Sequence, residues 1–99
     1  MNNLDCIYDS RQSFYGKAKY ILQADGTCET YRLYSYGTEV ARVEVYRDMI
    51  KYFYYGKYSQ TTTRHQKEFF KQHDISNHEM EKLFKEGKLV RRKEDFYED

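Results

Sequence analysis

The side chains able to do acid–base or metal chemistry are few. They are His65, His73 and His78, Cys6 and Cys28, and the pair Arg64-His65 with Tyr58 nearby. A zinc site needs His or Cys at ligand spacing. The three histidines form no HExxH pair, and no Cys-x-x-Cys accompanies them. An imidazole base beside a guanidinium on phosphate can cleave a phosphodiester. Arg64-His65 offers those two groups, but no paired carboxylates complete the set. Neither cysteine has an evident base to make it a thiolate. The reading is therefore a binding protein and not an enzyme, with no metal and no cofactor. His65 is expected to be a hydrogen-bonded histidine at the start of a helix.

Binding chemistry is better supplied. Twelve of the 99 residues are Tyr, while Trp and Pro are absent. Tyr gives contact area at low entropic cost and keeps a polar tip. The candidate partner contacts are Tyr34, Tyr36, Tyr52 and Tyr54 on the sheet, with Arg64, Lys67, Arg91 and Arg92. The four tyrosines could stack bases, as sheet aromatics do in some RNA-binding folds. The cations fall in two groups: Lys57, Arg64, Lys67 and Lys71 around a first helix, and Lys85, Lys88, Arg91, Arg92 and Lys93 after a second. Overall charge is balanced, with 17 Lys and Arg against 16 Asp and Glu. That balance excludes an acidic mimic of DNA and argues against a dedicated DNA binder.

The elements that position these residues follow from periodicity. Residues 1–99 read as a single α+β domain. Residues 1–16 form an N-terminal arm, in which Ile7, Tyr8, Phe14 and Tyr15 could pack. Residues 17–56 form an antiparallel sheet, 59–87 two helices, and 88–99 a charged tail that frays unless something holds it. Alternation predicts strands over Lys17–Gln23, Thr27–Tyr36, Glu39–Arg47 and Met49–Tyr55, with Ala24-Asp25-Gly26 as a turn. Short turns between them make a four-stranded antiparallel meander packed against a helix, followed by a second short C-terminal helix. The first helix starts between Ser59 and Thr63. In the second, Ser76 and Glu79 form a capping box, Ile75 and Met80 a hydrophobic staple, and Gly87 a C-cap. The core is expected to hold Ala41, Val43, Val45, Ile50, Phe69, Leu83 and Phe84. In the last strand Ile50, Tyr52 and Tyr54 oppose Lys51, Phe53 and Tyr55. No apolar run is long enough to span a membrane, and the start lacks a signal peptide's basic end and apolar run. A cytoplasmic protein with free thiols is expected.

Two segments carry a resemblance: Tyr36-Gly37-Thr38-Glu39-Val40-Ala41, and Tyr58-Ser59-x-Thr61-Thr62-x-Arg64-His65-Gln66-x-x-Phe69. Together they resemble a small uncharacterised domain family of bacteriophages, plasmids and integrated mobile elements, over roughly residues 34–72. The resemblance implies a sheet followed by a helix and no catalytic residue. In size and character the chain is also similar to anti-CRISPR proteins that act on Cas9-type effectors. That likeness implies a host effector protein as partner, bound so as to block guide RNA loading or activation. The alternative is a small RNA- or DNA-binding accessory protein.

Overall fold

The computed structural model describes residues 1–56 and 58–94. Its elements are β1 (Asn2–Asn3), β2 (Ala18–Ala24), β3 (Glu29–Ser35), β4 (Thr38–Val45), β5 (Met49–Tyr54), α1 (Gln60–Gln72), α2 (Asn77–Glu86) and β6 (Lys88–Arg92). All six strands lie in one sheet in chain order, each antiparallel to its neighbours. Both helices cover the same face.

The α+β class and the antiparallel sheet agree with the sequence. The strand count does not: among the described residues there are six strands rather than four. The chain also does not end on its second helix, because β6 follows α2 and pairs with β5. The basic run 88–92 reads as a tail because Arg91 falls on its covered side. An ion pair with Glu79, at 3.1 Å, makes that position tolerable. The other new strand, β1, is too short to show a period. Residues 95–99, the acidic aromatic end of the expected tail, lie outside the described residues, as does Lys57.

The covered face is built by period-two alternation. Leu33, Val43 and Tyr52 are fully buried there, under Phe69, Phe70 and Leu83 of the helices. A β-bulge at Leu33/Tyr34 adds a residue to β4, so Val40 and Ala41 are both buried. Gln66 of α1 donates Nε2–H to the Val40 carbonyl at 2.9 Å, which fixes the helix over the bulge. Of the expected core, Ala41, Val43, Phe69 and Leu83 are buried, while Val45, Ile50 and Phe84 pack against it half-buried.

The helix termini follow their sequence signals. Ser59 caps α1, accepting from Thr62 N at 3.3 Å. Ser76 and Glu79 form the capping box of α2, and Gly87 ends it in the left-handed region (φ 79°). The N-terminal arm is pinned rather than loose. Buried Glu68 accepts from Tyr8 N at 2.8 Å and Asp9 N at 2.7 Å. Leu4 and Phe14 enter the core, whereas Ile7, Tyr8 and Tyr15 are exposed.

Candidate functional site

Alternation that buries one side of the sheet leaves the other bare. Among the described residues, no helix covers the side carrying Lys19 of β2, Arg32 and Tyr34 of β3, Arg42 and Glu44 of β4, Lys51 and Phe53 of β5, and Lys88 and Arg92 of β6. Glu39, just before the bulge, and Tyr55, just past β5, share that side. Arg32 donates Nη1–H to Glu39 at 3.0 Å, and Arg42 pairs with Glu44 at 3.1 Å. Both carboxylates are thus taken up. Among the described residues, Lys19, Lys51, Lys88 and Arg92 make no ion pair, so the face is net cationic although the chain is nearly neutral.

The aromatic rings of this face carry cations. The Arg42 guanidinium lies 4.4 Å from the centre of the Phe53 ring and 6.0 Å from that of Tyr55. Lys88 Nζ is 5.6 Å from the Phe53 ring, and Lys51 Nζ is 5.2 Å from the Tyr46 ring. These distances are within cation–π range. Burial pushes the Tyr55 phenol pKa up, against a smaller opposing pull from Arg42. The hydrogen bond from Tyr46 to Glu44, at 2.7 Å, pushes the Tyr46 phenol up to about 12. Both phenols are neutral at physiological pH. The result is a patch of uncharged rings ringed by fixed positive charge.

The structure sorts the expected contacts into two groups. Tyr34 and Arg92 lie on the bare face, and Tyr36 stands at the β3–β4 turn beside it. Tyr52 is fully buried and donates its hydroxyl hydrogen to the His73 carbonyl at 3.1 Å. Tyr54 stacks on Phe84 with ring centres 4.5 Å apart. Neither ring can reach a partner across the sheet, and this corrects their expected place on a binding surface. Arg91 pairs with Glu79 and donates to the Asp74 carbonyl at 2.9 Å, so it ties β6 to α2. Arg64 pairs with Asp9 at 3.3 Å and holds the N-terminal arm. Lys67 is exposed beside Arg64 and Lys71, in a shallow depression that Asp9 and Glu68 also line. Arg42, Lys51, Phe53 and Tyr55 were missed as contacts. Their signal was present: Ile50 belongs to the core, so Tyr52 and Tyr54 share its face, and Phe53 and Tyr55 take the other.

His65 and His73 are structural, and His78 is exposed on α2. His65 is buried, and its Nδ1 lies 2.8 Å from Ser35 Oγ, which in turn is 2.9 Å from Thr62 Oγ1. Burial, then the Arg11 charge, hold its pKa down. The ring edge meets Phe14 at 4.5 Å between centres. His73 sits between Tyr31 and Phe69, and burial takes its pKa down to about 4. Among the described residues no group of three or more His, Cys, Asp or Glu side chains could hold a metal ion. No helix among them is long and apolar enough to cross a membrane.

The class defined by this geometry is a small α+β protein with one bare, cation-rich aromatic sheet face. The profile of DUF8033, a family of unknown function, matches residues 2–87, and the chain belongs to that family. β6 falls outside the matched residues. No curated protein and no solved structure matches the chain.

Proposed function

We propose that this protein binds single-stranded nucleic acid across the bare face of its sheet. One observation carries the reading: Phe53 and Tyr55 bracket the Arg42 guanidinium while lysines from β5 and β6 surround them. Unpaired bases stack on aromatic rings and on guanidinium planes, and phosphates seek ammonium groups. A face that offers both, with its two carboxylates already paired, is complementary to a single strand in charge and in shape. Bases held within a duplex do not present their ring faces to such a surface. The role is one of binding, without a chemical step.

An origin in a mobile element, and inhibition of a Cas9-type effector by protein contact, rest on the resemblance and on a surface suited to binding; Tyr34 and Arg92 of this face are among the contacts expected for such a partner.

The test is fluorescence anisotropy of a labelled mixed-sequence oligonucleotide, as RNA and as DNA, over a range of salt. Binding should weaken with salt, by about 0.7 in log–log slope for each phosphate contact. Phe53→Ala should cost about 1–3 kcal/mol of affinity. The double substitution Lys51→Gln, Lys88→Gln should flatten the salt dependence by about 1.4, two contacts' worth. An affinity indifferent to Phe53→Ala, or no binding at low salt, would overturn the proposal.

A further inference from the structure

At the end of the sheet where β2 begins and β3 meets β4, a cavity of about 460 Å³ opens beside the bare face. Lys17, Lys19, Tyr34 and Tyr36 line it, together with Met1, Gly16 and Gly37. Among the described residues, the side chains lining it hold two ammonium groups, two phenol rings and no carboxylate. Lys19 and Tyr34 are directly paired across β2 and β3, so the cavity continues the bare face without a break. β3 is two strands from β5, which puts Tyr34 about 10 Å from the Phe53 row.

The frame of the cavity is fixed by two corners of the same kind. Tyr15-Gly16 and Tyr36-Gly37 both have left-handed backbone, with φ of 53° and 74° in the first and 51° and 82° in the second. The Tyr36 amide donates to the Lys17 carbonyl at 2.9 Å and locks the corners together. A two-residue hairpin with both φ values positive favours Asn-Gly. A bulky ring at its first position is an outlier that the turn itself does not require. Tyr36 is nevertheless held there, 58% exposed, at the cavity rim. Residues held in the left-handed region cluster at ligand clamps, and of the three described non-glycine residues with positive φ, Tyr36 is the one that lines this cavity.

We infer that this cavity is a subsite for a single nucleotide at one end of the bound strand, its base against Tyr34 and Tyr36 and its phosphate at Lys17 and Lys19. The inference rests on the proposed strand binding across the sheet and extends its footprint by one residue.

The experiment titrates adenosine 5′-monophosphate into the isotope-labelled full chain and follows backbone amides by NMR. Inorganic phosphate serves as a control. The expected result is saturable movement of the Gly16, Lys17 and Gly37 signals by the nucleotide. Tyr36→Asn, which keeps a residue the turn prefers, should weaken it at least fivefold with the fold intact. Lys19→Gln should do the same. Oligonucleotide binding that survives with the cavity amides unmoved would overturn the subsite and leave the strand reading standing. Equal movement by inorganic phosphate would overturn the nucleotide assignment. Oligonucleotide held no tighter than the mononucleotide, with Phe53→Ala silent, would overturn the strand reading itself.

Discussion

On the covered face of the sheet, aromatic rings pack against other rings: Tyr54 on Phe84 at 4.5 Å, and Tyr52 toward Phe70 at 6.5 Å. On the bare face, rings drawn from the same strand carry cations instead, with Arg42 at 4.4 Å and Lys88 at 5.6 Å from Phe53. Residue type does not separate the two sides of β5, because both are aromatic. The neighbours separate them. Val43 and Ala41 stand opposite Tyr52 and Tyr54, and Arg42 stands opposite Phe53. One side stabilises the fold, and the other is left with rings and charge that the fold does not consume.

The largest effect that would sharpen this contrast is on the covered side. Phe70→Ala should destabilise the protein by about 3–5 kcal/mol, the cost of emptying a buried aromatic site. Urea unfolding would measure it, and oligonucleotide affinity of the folded fraction should not move. A loss of affinity equal to the loss of stability would erase the distinction between the faces.

The next test uses pH on the same side. His73 has a folded pKa of about 4 against 6.5 for a free histidine. The unfolded chain therefore takes up the proton first. Stability from this group is fully present above about 6.5 and is lost as pH falls toward 4. The full span is worth about 3 kcal/mol at 1.36 kcal/mol per unit. Unfolding midpoints at pH 4.5 and 7 should differ accordingly, and His73→Phe should remove that part of the difference. A midpoint that changes equally with and without His73 would place the titration elsewhere.

The smallest effect belongs to the bare face. Glu39→Gln removes a carboxylate that engages Arg32 near the surface. Stability should change by no more than about 1 kcal/mol. Strand binding should become tighter and its salt dependence steeper, since one more cation is released. Weaker binding in this variant would mean that Arg32 needs Glu39 to hold its place.

Much of the positioning was legible from residues alone. The Ala41, Val43 and Val45 alternation placed β4, and Ser76, Glu79 and Gly87 fixed both ends of α2 to the residue. What escaped had physical causes. β5 carries rings on both faces, so alternation gives its two sides but not which is wet; only the parity of Ile50 decides. β6 hides a covered arginine whose charge is met by Glu79, a residue on a different element. Tyr36 read as the end of a strand because nothing local announces a tyrosine in a left-handed turn. The cationic face was masked by a balanced total charge, since the carboxylates that offset it lie largely on the helices and loops.

β6 pairs Met49 with Arg92 and Phe53 with Lys88, with both helices lying between the partners along the chain. β2 to β5, by contrast, close across short turns. Loop-closure entropy makes the long-range pairing the late one during refolding. Until it forms, β5 is an open edge with unpaired backbone amides and carbonyls, a surface on which chains join one another. The order of elements thus ties the yield of refolding to protein concentration, a dependence that the finished, fully paired β5 no longer has.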